Sequence, residues 1–219
     1  MNWEGHAERE ERRYADALAR LPEESDPRQK QLVRAAMAAG GAGLARLMQG
    51  REAEAAGWFA RSAERYRESW ADAPTGSWGR PIGALKSRVL ARDWDGAEVD
   101  ARWALDQGAE AADSPVGVYA GTLALLILGE DVRATGLAAG LRAADEEAFP
   151  PAVADALAGM AASDGAAYRA GCAAVLESFE TREDYLEDIP VADTVIVLEA
   201  LAERRGMALR PTSGLLPSA

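Results

Sequence analysis

The sequence predicts an all-α protein built from helical hairpins, with about nine to ten helices and no significant sheet. Three observations predict it. The apolar content, 48% of 219 residues, is mostly Ala and Leu, with aromatics at only 6%, a mixture that favours helices packed closely through small residues. β-Branched runs flanked by turn residues, the signal for strands, are nearly absent. The stretch Ser114 to Asp131, SPVGVYAGTLALLILGED, carries no charge between Ser114 and Glu130. A helix apolar on every side has to be buried on every side, and the run from Pro115 to Leu128 is shorter than the roughly 20 residues a bilayer span requires. It reads as the central helix, started by Ser114 as cap with Pro115 at its first position and ended by Gly129.

The other elements follow in order. Residues 4 to 20 form a polar first helix with Tyr14, Ala17, Leu18 and Leu21 on one stripe, stopped by Pro22. Ser25 or Asp26 caps a second helix with Pro27 at N1 and Leu32, Val33, Ala36 and Met37 inward. Gly40, Gly41 and Gly43 either end that helix or let it pass very close to a neighbour; the expectation is a helix that resumes at about Ala42 and runs to Met48. A repeated junction then appears: LMQGREAEAAGWF from Leu47, LARDWDGAEVDAR from Leu90, LILGEDVRATGLA from Leu126 and MAASDGAAYRAGC from Met160. Each is an apolar helix end, a short Gly/Asp turn and a new Ala-rich helix. The spacings of 43, 36 and 34 residues lie near the period of a two-helix repeat. The pairs expected are 27–48 with 52–71, 80–91 with 94–107, 115–128 with 131–144, and 150–162 with 164–180. Within the first pair Trp58, Phe59, Tyr66 and Trp70 form an inward stripe, and in the second Trp94 and Trp103 pack between hairpins. A last helix starts near Pro190 with Asp188 as cap and closes at Arg204, Arg205 and Gly206.

These hairpins resemble degenerate tetratricopeptide-like repeats, which implies a right-handed superhelix. The whole chain, 1–219, is read as a single all-α helical-repeat domain with an N-terminal helix in 1–25 and an irregular tail in 207–219, apolar enough at Leu209, Leu215 and Leu216 to dock. Over residues 78 to 217 the order of features is similar to that of Imm49-type immunity proteins of bacterial polymorphic toxin systems. It runs from a Trp-containing helix ending in an Asp turn (Trp78 to Asp93) to a Tyr-containing apolar helix ending Leu-Gly (Tyr119 to Gly129) and a helix opening Pro150-Pro151. The run Tyr168 to Tyr185 follows, then a last apolar helix ending Arg-Gly and a trailing Leu215-Leu216-Pro217. The resemblance implies a protein that neutralises a toxin by binding it.

Chemistry-bearing residues are sparse. His6 is the only histidine; paired with Glu10 it lacks the further ligands a metal needs, so it is read as a solvated surface side chain. The single cysteine, Cys172, excludes an internal disulfide and sits in an Ala-rich helical run as a small core residue. Gly40, Gly41 and Gly43 follow a helix and lack a Lys-Ser/Thr ending, so they are no phosphate loop, and neither a nucleophile elbow nor zinc spacing occurs. No catalytic residue, metal ligand or cofactor is therefore expected.

Binding candidates remain. Glu177, Glu180, Glu183, Asp184, Glu187 and Asp188 form the densest run of one sign. It lacks the spacing of a calcium loop and reads either as a solvated helix end or as a surface that meets a basic partner. Trp78, Arg80 and Lys86 in SWGRPIGALKSR, with Tyr119 further on, either line a concave binding face or pack. With 36 acids against 24 bases the net charge is −12, which argues against nucleic acid and anionic membranes. The N-terminus MNWEGHAEREERRY has no apolar core for a signal peptide or anchor, so a cytoplasmic location is expected. The sequence thus leads to a non-catalytic protein-binding module, monomer or dimer, with a basic protein partner, which the resemblance to immunity proteins implies is a toxin; the alternative is a scaffold or adaptor that binds a peptide segment of a host protein.

Overall fold

The computed structural model describes residues 1–218. They form ten α-helices and two short 3-10 turns, with no strand among the described residues. The chain divides into two compact units. The first contains α1 (Trp3–Ala19), α2 (Ser25–Leu47), α3 (Glu52–Trp70) and α4 (Gly79–Leu90), together with residues 183–191 and 212–218. In the second are α5 (Trp94–Asp106), α6 (Pro115–Leu128), α7 (Asp131–Arg142), α8 (Pro151–Ala161), α9 (Gly165–Glu180) and α10 (Asp193–Glu203). Within each unit every helix packs on the next in the chain. No helix of the described residues is long and apolar enough to cross a membrane.

The four repeated junctions share one hydrogen-bonded turn. In each, a residue in the left-handed region (Gly50, Arg92, Gly129 or Ser163) ends a helix. The next N–H then reaches back five residues: Arg51 to Arg46, Asp93 to Arg88, Glu130 to Leu125 and Asp164 to Gly159, at 2.8–3.0 Å. This six-to-one bond satisfies carbonyls that a helix end otherwise leaves unpaired. Two of the four left-handed positions carry side chains, so the turn is set by its hydrogen bonds and flanking helices as well as by glycine.

In the second unit α6 is capped by Ser114, whose Oγ accepts the Gly117 N–H at 3.2 Å, and Ala120 through Ile127 are buried without interruption. In α9 Cys172 is buried. The buried Tyr168 hydroxyl donates to Glu199 at 2.6 Å, and the other oxygen of that carboxylate accepts the Leu209 and Arg210 N–H groups at 2.8 and 2.7 Å. The start of the tail is therefore tied to α10. Trp94 lies under the Arg204 guanidinium, 4.5 Å from the ring centre.

In the first unit α2 runs unbroken through its glycines, contrary to the expected restart at Ala42. The reason is packing: a Cβ at Gly43 would lie 2.6 Å from the Phe59 ring, and one at Gly41 would lie 2.8 Å from Ile189 Cδ1. The glycines let α3 and residues 183–191 approach the helix axis. Arg46, 6% exposed, is neutralised by Glu4 and Glu11 of α1, and its hydrogen bond holds the Glu4 carboxyl below the usual carboxylate range. Three further expectations are corrected. Neither Ser25 nor Asp26 caps α2, which starts after Glu24 without a side-chain cap; Asp26 turns to Lys30 and Gln29 instead. α10 begins at Asp193 after Ala192, not near Pro190 with Asp188 as cap, because Asp188 belongs to a left-handed turn further back. His6 is half-buried against Trp3, with ring centres 5.6 Å apart and its Nδ1 enclosed, rather than solvated.

Candidate functional site

The acidic run divides at Arg182, where its first members, Glu177 and Glu180, lie exposed on α9 in the second unit. Glu183 to Val191 belong to the first unit, and their anchor is α1. Glu10, with no solvent exposure, meets the Arg9 Nε at 2.7 Å and the Arg13 Nη1 at 2.8 Å. A buried carboxylate needs such cations because desolvation otherwise disfavours its charge. The same two guanidiniums reach the loop: Arg9 donates to the Glu187 carbonyl, and Arg13 to the Glu187 carboxylate. On the far side of the turn Ile189 is buried on Gly41 of α2.

Between these anchors the backbone makes a tight turn. Glu187 and Asp188 are both left-handed, at φ 57° and 53°. Each such residue costs about 1 kcal/mol or more when it is not glycine. The turn is closed by the Asp188 N–H on the Tyr185 carbonyl at 3.0 Å and the Ile189 N–H on Leu186 at 3.2 Å. At its apex Leu186 is 72% exposed. Glu183 and Asp184 are exposed without a partner among the described residues, and the Asp188 side chain is 91% exposed with Arg9 only at 4.0 Å. Glu187 differs. Its side chain is 11% exposed and committed to Arg13, so of the four acids predicted here it acts as an anchor while the other three face water. Chemically the loop presents one apolar side chain and three carboxylates on a backbone fixed at both ends.

The remaining predicted residues lie elsewhere. Trp78 precedes α4 and packs on Trp70, with ring centres 5.5 Å apart. Arg80 donates to the buried Gln29 amide; its Nε is enclosed without a hydrogen-bond partner among the described residues, and burial pushes its guanidinium below the ordinary arginine value. Lys86 is half-buried on α4. Tyr119 belongs to the second unit, where it packs on Phe149 at 5.2 Å. Sequence reasoning missed Arg9, Glu10, Arg13 and Leu186. One signal was available: Arg9 and Arg13 at i and i+4 put like charges on one helix face, which is unfavourable unless acids lie opposite. No group of three or more potential metal ligands occurs among the described residues. Set against protein-family models, curated proteins and solved structures, the chain finds no match.

Proposed function

We propose that this chain is a non-catalytic protein-binding module that docks a basic partner on the 183–188 loop. The observation that carries the reading is Leu186, held out at 72% exposure on a clamped turn and flanked by the exposed carboxylates of Glu183, Asp184 and Asp188. An isolated exposed leucine is ordinary. One on a rigid apex loses little conformational freedom on binding and can fill a partner's pocket, while the acids around it speed encounter with a basic surface. The resemblance to immunity proteins supplies one class of such partner, a toxin neutralised by the contact. The reading includes the right-handed, tetratricopeptide-like stacking expected of the hairpins, supported by the same turn at all four junctions.

The test is affinity capture from the source cells at low and high salt with wild-type protein, Leu186→Ser and Asp184→Lys. A basic polypeptide retained at low salt by wild type, and at least about tenfold less by either variant, is the expected result. Equal retention by all three proteins would move the docking surface elsewhere.

A further inference from the structure

A second polar feature of the first unit is a cluster of arginines, in a protein of net charge −12. The groove between α1 and α2, about 260 Å³, is lined by Arg13, Asp16, Ala17, Arg20, Gln31 and Arg34. We propose that it binds a phosphoryl oxyanion.

Three guanidiniums and one carboxylate line the groove, and two of the guanidiniums, those of Arg13 and Arg34, are held by hydrogen bonds. The Glu10 and Glu187 carboxylates both engage Arg13 through Nη1, so its Nε and Nη2 have no partner among the described residues. Across the groove Gln31 donates from Nε2 to the Ala17 carbonyl at 3.2 Å, which turns its amide oxygen to accept from Arg34 Nη1 at 3.1 Å. That neutral amide is the only hydrogen-bond partner of Arg34 among the described residues. Arg20 approaches Asp16 no closer than 3.8 Å. Elsewhere Arg46, Arg88, Arg133 and Arg142 each hydrogen-bond a carboxylate. In the groove Arg13 likewise meets carboxylates, Glu10 and Glu187, but through one nitrogen only, whereas Arg34 hydrogen-bonds none and Arg20 stays 3.8 Å from Asp16, so all three guanidiniums keep N–H donors for a ligand.

The number of donors selects the ligand. A guanidinium offers paired N–H groups that match two oxygens of a carboxylate or phosphate. One carboxylate has two oxygens and is saturated by a pair of forks, whereas a phosphoryl group has three terminal oxygens and carries close to two negative charges at neutral pH. Three guanidiniums therefore suit a phosphoryl group better than an acid side chain. Its source is either free inorganic phosphate or an ester on a small organic molecule. The site does not depend on the docking function of the 183–188 loop. Arg20 and Arg34 also stand clear of the clamp that Arg13 makes to Glu187.

Titrating sodium phosphate into full-length isotope-labelled protein at constant ionic strength, with chloride and acetate as controls, tests the site by amide and arginine Nε–H NMR shifts. Saturable shifts confined to residues 13–20 and 28–34 are expected with phosphate, and affinity about tenfold weaker in Arg34→Gln and in Arg20→Gln, both checked for wild-type helicity. O-phosphoserine binding more tightly than phosphate assigns an ester, and equal binding assigns the free ion. Unsaturable shifts, equal shifts with acetate, or unchanged affinity in both variants would overturn the proposal.

Discussion

Glu10, a carboxylate with no solvent exposure, is met by the Arg9 and Arg13 guanidiniums from its own helix, the pairing that a buried acid requires. Each also donates to Glu187, so one buried acid holds arginines that reach across the chain, Arg9 to a carbonyl 178 residues further on in sequence. Cys172 shows the opposite case, an ionisable group kept neutral. Burial, reinforced by the nearby Glu199 carboxylate, pushes its thiol up to about 11 from an ordinary 9.0. Folding favours the protonated thiol, so this contribution is complete below pH 9 and fades as pH rises from about 9 towards 11. Wild type is therefore expected to lose more stability than Cys172→Ala between pH 8 and pH 11 in urea unfolding, and iodoacetamide at pH 8 should label Cys172 only as the protein unfolds. Rapid labelling of native protein would refute the buried assignment. The burial of Cys172 was legible in its Ala-rich surroundings; the Glu199 carboxylate beside it was not, since it comes from another helix.

At the scale of the element, glycine has opposite effects in different helices. In α9 a Cβ at Gly171 would lie 2.5 Å from the Ala156 backbone nitrogen, and in α8 one at Gly159 would lie 2.4 Å from that of Tyr168. Backbone cannot give way as a side chain can, so Gly171→Ala is expected to cost about 2 kcal/mol or more. Gly57 in α3 and Gly136 in α7 are exposed with open space at the Cβ position. Alanine there should stabilise by about 0.5–1 kcal/mol through helix propensity alone. Urea midpoints of the three variants check the sign of each change, and a stable Gly171→Ala protein would mean that α8 and α9 pack less closely. The sequence marks all of these as glycines in helical runs. It cannot distinguish a contact from an open face, because that depends on which neighbour lies opposite. The same holds at the hairpin turns: Gly50 and Gly129 announce left-handed residues, whereas Arg92 and Ser163 adopt that conformation without announcing it.

For the whole molecule, neither unit is a continuous piece of chain. Residues 183–191 and 212–218 return to the unit that begins at Met1. A fragment of residues 1–93 lacks Ile189, which fills the notch at Gly41, and Glu187, which engages Arg13. It is expected to melt about 10 °C or more below the corresponding transition of the full chain, from the loss of a buried aliphatic side chain and an ion pair. Thermal unfolding followed by circular dichroism measures this, and an undiminished midpoint would show that the returning segments add nothing to the unit's stability.

The sequence by itself determined the helical class, the helix boundaries to within a few residues, the Ser114 cap and the buried stretch from Ala120 to Ile127 of α6, whereas the pair expected from 80–91 and 94–107 is divided, with α4 in the first unit and α5 in the second, and Val116 at the start of α6 is exposed. Capping, hydropathy period and left-handed glycine act within about five residues of chain, so a local reading reaches them. Only the tertiary structure decided that α2 continues through its glycines, that Glu187 turns inward while Glu183, Asp184 and Asp188 face water, and that Leu186 stands at the apex between them. Those outcomes rest on Phe59, Ile189, Arg9 and Arg13, contacts between distant parts of the chain that no local pattern encodes.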